Sequence, residues 1–229
     1  MDALSTRINS LPASATLAMA AKARELKNKG IDIIGLSLGE PDFNTPEFIK
    51  EAAINAVNEF WNSYSPVDGY AELKEPICEK FKRDNNLDYK PSQVVVSTGA
   101  KQSIANLCLV LLDPGDEVLL PAPYWVSYSA IATLAEATST IIPSSIKNDF
   151  KITPEQLEAA ITPKTKLIMF NSPNNPSGTV YTEAEYRALG QVLIKHPNIY
   201  ILSDEIYEHI NYGVSHFSIA AIPELYDRT

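Results

Sequence analysis

Cysteine is scarce, with two among 229 residues. Cys78 and Cys108 each lie in an apolar, helical-looking context with no second Cys or His at ligand spacing. They read as buried thiols in a reducing compartment, not as a disulfide or a metal site. Glycine is sparse as well, at 9 residues, and no repeat, low-complexity tract or flexible linker is present, so collagen-like and wholly disordered chains are excluded. Basic residues are the minority. The 19 Lys and Arg face 28 Asp and Glu, giving a formal charge of −9 and a pI near 4.9 without any local basic cluster, so no nucleic-acid partner is expected. Long apolar runs are missing too: none approaches the roughly 18 residues of a membrane span. Residues 1–11 carry Asp2, Arg7 and Asn9, which is no secretory signal. The expected location is the cytoplasm, with no membrane partner.

What is present is an ordinary globular balance, 45% apolar and 21% charged, at a length that allows one large domain or two modest ones. Residues 15–29 have a helical composition that stops at Gly30. Thr45 as N-cap and Pro46 at the first helical position open a second helix to about Phe60. A third is expected over 72–84, with Pro76 awkward inside it. From residue 93 short apolar runs alternate with helices. Strands are expected at 93–97 (QVVVS), 118–120, 138–142, 166–170 (KLIMF) and 199–202 (IYIL). Helices are expected from the turn after residue 97 to Leu112 and over 124–134, and two more begin at the capping boxes Thr153–Gln156 and Thr182–Glu185. Strands that are apolar nearly throughout and alternate with helices imply an α/β fold, a mostly parallel sheet covered on both faces in three layers.

In open α/β sheets ligands bind beyond the carboxyl ends of the strands, so the residues after each run are the candidates. QVVVS is followed by Thr98-Gly99-Ala100-Lys101-Gln102, a small-residue turn opening a helix whose free N–H groups suit a phosphate, although plain turn geometry also places a glycine there. After 117–121 (EVLLP) the stiff segment Ala122-Pro123-Tyr124-Trp125 offers Trp125 to a planar ring, with a core tryptophan as the alternative. KLIMF leads into residues 171–178, NSPNNPSG, an uncharged loop rich in amides. It suits hydrogen bonding to a neutral or phenolic group, or simple turn formation. IYIL leads into Ser203-Asp204-Glu205-Ile206-Tyr207. A carboxylate directly after an apolar strand is costly unless a cation pairs with it, and a helix N-cap is the other reading of Asp204.

These four segments in this order, with LSLGEPDF at 36–43 and YSPVDGYAEL at 64–73, resemble the class I and II aminotransferases, pyridoxal-phosphate enzymes of fold type I, and among them the bacterial aspartate aminotransferases. The resemblance runs from about Leu4 to the last residue. It implies that residues 1–45 form an N-terminal arm and part of the small domain, and 46–229 the large cofactor domain, incomplete at its C-terminal side. It implies that Asp204 faces the ring nitrogen of pyridoxal 5'-phosphate, that Asn175 and Tyr207 donate to its phenolate oxygen, and that Trp125 stacks on the ring. Backbone amides of Gly99, Ala100 and Lys101 hold the phosphate, with Tyr64 reaching it from the other subunit of a homodimer. Gly39 contacts the substrate carboxylate through its backbone, and Trp125 and Asn175 also border the substrate. Lys101 and Ser14 lie where a distal carboxylate is recognised, Lys101 having a solvated helix-start lysine as its alternative. The implied substrates are an amino acid, aspartate or glutamate, and a 2-oxo acid. A dual aspartate and prephenate aminotransferase fits as well.

The family's Schiff-base lysine sits in a serine-lysine motif soon after the strand that follows SDEIY, and no such motif occurs here. Of the fourteen lysines only Lys101 falls in a family site motif. The later arginine that grips the substrate α-carboxylate is missing too, since Arg228 is the last of five. The chain is therefore expected to be an N-terminal fragment with no catalytic residue of its own. In the family the later strands insert between QVVVS and IYIL. The 229 residues expressed alone are expected to be poorly soluble, to form no covalent link to pyridoxal phosphate and to lack transaminase activity. A complete chain acting as a non-catalytic cofactor binder or interaction protein is the alternative of another class.

Overall fold

A computed structural model describes residues 3–11, 13, 15–36, 39, 41–59 and 63–229. Packing divides the chain into two units, Met1–Leu11 with Val67–Thr229, and Pro12–Pro66.

The smaller unit holds helices α2 (Ala15–Asn28) and α3 (Glu47–Asn58). Gly30, at φ +76°, ends α2 with its N–H on Lys27 O, a left-handed position that glycine occupies without strain. Helix α3 starts one residue later than Thr45 would place it: Pro46, extended at ψ 144°, is the N-cap, and no side chain caps the helix because a proline ring carries no hydrogen-bond acceptor. Phe60 lies outside the described residues.

The larger unit begins with the short helix α1 (Thr6–Asn9) and resumes with α4 (Ala71–Asn85), which runs through Pro76. Helices α5 (Ala100–Leu111), α6 (Ser127–Leu134), α7 (Pro154–Ala160) and α8 (Glu183–Ile194) surround strands β1 (Glu117–Pro121), β2 (Thr138–Ile142), β3 (Thr165–Asn171) and β4 (Tyr200–Asp204). Both capping boxes form as the sequence predicts: Thr153 accepts from Gln156 N and Thr182 from Glu185 N, and each N3 side chain returns to its cap. Helix α6 begins at Ser127 and not at Tyr124, because Ala122 to Trp125 leave the strand as an irregular segment.

The four strands are parallel in the order β2-β1-β3-β4. Alternate side chains serve opposite faces, and both faces are apolar. Leu119, Ile168, Phe170 and Ile201 pack with Leu157, Tyr186, Leu189 and Leu193, while Val118, Leu120, Leu167, Met169 and Leu202 pack with Ile104, Cys108, Tyr128 and Ile131. The result is the expected α/β architecture with helices on both faces.

QVVVS does not join this sheet. Residues 94–97 have no ladder partner among the described residues; Val96 N–H instead goes to Asp68 O at 3.1 Å. A strand exists only as one of a pair, and between this segment and β4 lies a cleft of about 660 Å³, lined by Val94, Val95 and Ile104 on one side and Leu202 and Asp204 on the other. Gly69 comes so close to Val96 that a Cβ there would lie 2.5 Å from Cγ2, and at φ +98° the position favours glycine on backbone grounds also. Among the described residues no helix is long and apolar enough to cross a membrane.

Candidate functional site

The sheet order reverses between β1 and β3, since β2 lies beyond β1 on one side and β4 beyond β3 on the other. Crevices at such a point gather the loops from the carboxyl ends of the strands. Three of those loops carry candidates. β1 feeds Trp125, β3 feeds Asn175, and β4 ends on Asp204 with Tyr207 three residues on.

Asp204 is held by neutral donors. Tyr128 Oη donates to Asp204 Oδ2 at 2.6 Å, and Ile206 N–H to Oδ1 at 3.2 Å. Asp204 forms an Asx turn, not the N-cap of a helix, because residues 205–209 make only turns. No cation pairs with it among the described residues. Tyr128 is buried, and burial first, then the Asp204 charge and hydrogen bond, push its hydroxyl far above the usual phenol range. It therefore stays a proton donor at any working pH.

Asn175 and Tyr207 converge, with Asn175 Nδ2 3.5 Å from Tyr207 Oη. Around them the amide loop is cross-braced. Asn174 donates to Pro123 O at 3.1 Å, tying it to the segment after β1, and its own Oδ1 accepts from Ser177 N and Oγ. Asn171 Oδ1 accepts from Asn175 N at 2.7 Å, and its Nδ2 donates to Asp204 O at 2.9 Å.

Trp125 stands edge-on to Tyr128 with centroids 5.6 Å apart, and Lys101 Nζ lies 4.8 Å from the Trp125 ring centre. Lys101 thus stacks its charge on an aromatic face, an arrangement worth about 0.5–2 kcal/mol. Helix α5 opens at Gly99, φ +86°, with nothing within 4 Å of where a Cβ would stand and no acid in its first turn. Gly99 N–H is already spent on Ser97 O at 2.8 Å. Among the described residues nothing accepts from the N–H groups of Ala100 or Lys101, which leaves those two amides for an anion. Ala100 and Asp204 both line the 660 Å³ cleft.

The structure thus brings together Gly99, Ala100, Lys101, Trp125, Asn175, Asp204 and Tyr207 in the larger unit. Gly39 and Tyr64 belong to the smaller one, both exposed, with Tyr64 fully so. Ser14 lies outside the described residues. Sequence reasoning missed Tyr128 and the bridging role of Asn171. Tyr128 had one signal, its place three residues after Trp125 at the start of a helix; Asn171 had only its membership in the amide loop.

Comparison with known proteins gives the same direction. A family described as aminotransferase class I and II matches residues 31–228. An aspartate/prephenate aminotransferase of Cereibacter sphaeroides is 50% identical over 231 residues, which cover all of this chain and 58% of that protein. A crystal structure of the aspartate aminotransferase from Rhizobium meliloti superposes with a TM-score of 0.96 at 44% identity, over 99% of this chain and 57% of that one. An aspartate aminotransferase from Thermus thermophilus, solved with maleate, gives 0.92 at 43% identity, over 97% of this chain and 58% of its own. The chain thus spans less than two thirds of the length of these relatives.

Proposed function

The chain belongs to the class I and II aminotransferase family, and from that premise we propose that it forms the cofactor-binding part of a pyridoxal-phosphate enzyme that moves an amino group between an amino acid and a 2-oxo acid. One observation carries the reading. An acid with no cationic partner among the described residues ends an apolar strand beside two hydrogen-bonding side chains, Asn175 and Tyr207, that converge within 3.5 Å. These residues fit the cofactor, which presents a ring nitrogen able to carry a proton, a phenolate oxygen and a phosphate.

When bound, pyridoxal phosphate supplies an electron sink that labilises the Cα–H of an amino acid. Asp204 supplies the negative charge that keeps a proton on the ring nitrogen, and Tyr128 fixes the direction of that carboxylate. Asn175 and Tyr207 donate to the phenolate oxygen. Ala100 and Lys101 offer backbone N–H groups at the positive end of α5 to the phosphate, and no acceptor takes these groups among the described residues. Trp125 covers the ring.

For the substrate we infer dicarboxylic amino acids, aspartate foremost, with Lys101 and Ser14 on the distal carboxylate and Gly39 on the α-carboxylate. The maleate bound to the Thermus relative, itself a dicarboxylate, supports this choice, and the name of the Cereibacter relative supports prephenate as a further acceptor. A cytoplasmic homodimer with Tyr64 reaching the partner's phosphate completes the proposal. The test is a protein expressed at its relatives' full length, titrated with pyridoxal phosphate and assayed for transfer from aspartate to 2-oxoglutarate. Uptake and transfer are expected, with uptake weakened and turnover lowered by about 10²-fold or more in Asp204→Ala. A folded protein that takes up no cofactor, or an Asp204→Ala variant with normal turnover, overturns the reading.

A further inference from the structure

Asn171 is the only carboxamide among the described buried residues, 5% exposed at the last residue of β3. Its two polar atoms have different tasks. Oδ1 accepts the Asn175 N–H at 2.7 Å, which closes the amide loop back onto the strand. Nδ2 donates to Asp204 O at 2.9 Å, across to the neighbouring strand. Asn171 and Asp204 are the final register pair of β3 and β4, and Ser172 N–H adds a second donor to the same carbonyl at 3.2 Å. One partner is an N–H and the other a carbonyl, so only one orientation of the amide satisfies both.

Loop closure alone would need the acceptor arm only. The donor arm links that loop to Asp204, which lines the cleft, so one short side chain ties the Asn175 backbone to the Asp204 backbone. We propose that Asn171 is a positioning residue that sets the spacing between the group on the cofactor's phenolate oxygen, Asn175, and the group on its ring nitrogen, Asp204. The proposal rests on the cofactor reading above. Aspartate keeps the acceptor but replaces the donor with an oxygen that repels Asp204 O, and alanine removes both arms. Neither can hold the two loops in register, because a buried amide serves an N–H and a carbonyl at once.

The experiment uses the protein at its relatives' full length with Asn171→Ala and Asn171→Asp. In the apoprotein, hydrogen exchange of peptides covering residues 172–178 is expected to quicken in Asn171→Ala and to stay slow in Asn171→Asp, which keeps the acceptor for Asn175 N–H. With pyridoxal phosphate, both variants are expected to bind more weakly, Asn171→Ala by about tenfold or more. The pH midpoint of the bound cofactor's absorbance should rise by about half a unit or more as the Asn175 contact to the phenolate loosens. Unchanged affinity and midpoint in both variants, measured where both are folded, overturn the proposal even if thermal stability falls, since that pattern is a structural role only. If Asn171→Ala does not fold, Asn171→Asp decides alone through affinity and midpoint. A wild-type protein that takes up no pyridoxal phosphate refutes the cofactor reading instead, and the exchange result then decides the bridge by itself.

Discussion

Replacing Tyr128 with phenylalanine is expected to weaken the folded site by removing one oxygen and little else. The ring is 1% exposed and packs edge-on against Trp125, so phenylalanine keeps the packing and leaves no cavity beyond the hydroxyl. What disappears is the 2.6 Å donor to Asp204 Oδ2. A hydrogen bond to a charged acceptor contributes about 1.5–3 kcal/mol. At about 1.4 kcal/mol per tenfold, that corresponds to roughly 10- to 150-fold in the folding equilibrium. The assay is a double-mutant cycle by urea unfolding of the apoprotein, with Tyr128→Phe, Asp204→Asn and the pair. Tyr128→Phe should cost at least about 1 kcal/mol less when Asp204 has already lost its charge. If the two single effects add to within about 0.5 kcal/mol, the bond carries no coupling and the account of how Asp204 is held is wrong.

Asp204→Ala should lower kcat by a factor of about 10² or more, as loss of a preorganised charge does, and weaken cofactor uptake in a spectrophotometric titration. Lys101→Ala should raise KM for aspartate and glutamate far more than for alanine; an equal rise for all donors would move Lys101 to the phosphate or to support of Trp125. Gly69→Ala should destabilise by about 1–3 kcal/mol in urea, with part of the loss recovered by Val96→Ala, since the clash is with the Val96 side chain. Burial raises the phenols of Tyr89 and Tyr181 to about 12. With folded values above the unfolded value near 10, their stability is fully present below pH 10 and is lost as pH rises toward 12, each with a slope of at most about 1.4 kcal/mol per pH unit. Urea unfolding between pH 9 and 11 that shows no decline would contradict this.

Features set within a few residues were legible in the sequence. Both capping boxes and the span of β2 formed as expected, because a cap or a short apolar run between turns is decided by its own neighbours. Features that need a distant partner were less so. QVVVS has strand composition, yet no neighbouring strand reaches it among the described residues, and composition cannot report a missing neighbour. Helix α6 starts late because the segment after β1 is drawn toward the amide loop by Asn174, 51 residues away along the chain. The site shows the same split. Asp204, Asn175 and Tyr207 stood out because each follows an apolar run, while Tyr128 reaches Asp204 across 76 positions and Asn171 across 33, contacts that no local pattern encodes.

The five residues that end β4 and follow it contain three acids, and their surroundings separate structure from chemistry. Glu208 is bound by Lys80 and by Asn85 Nδ2 at 2.7 Å; burial opposes its charge, but these partners hold its carboxyl below the usual range. Glu205 takes Ser203 and Ser218 hydroxyls at 2.7 Å and faces His216 Nε2 at 3.1 Å. Each of these acids therefore anchors the loop, Glu208 back to α4 and Glu205 forward to residues 216–218. Among the described residues Asp204 differs from both in having no basic side chain as a partner, only a phenol and a backbone N–H, although it ends the same strand and lines the same cleft. Neutral donors orient a carboxylate and stabilise its charge without cancelling it. Had packing been the only demand on Asp204, a lysine such as Lys80 would serve it as it serves Glu208. An acid held in place without a basic partner at the mouth of a parallel sheet suits a cation that arrives with a ligand, and this is the demand that the ring nitrogen of the proposed cofactor would meet.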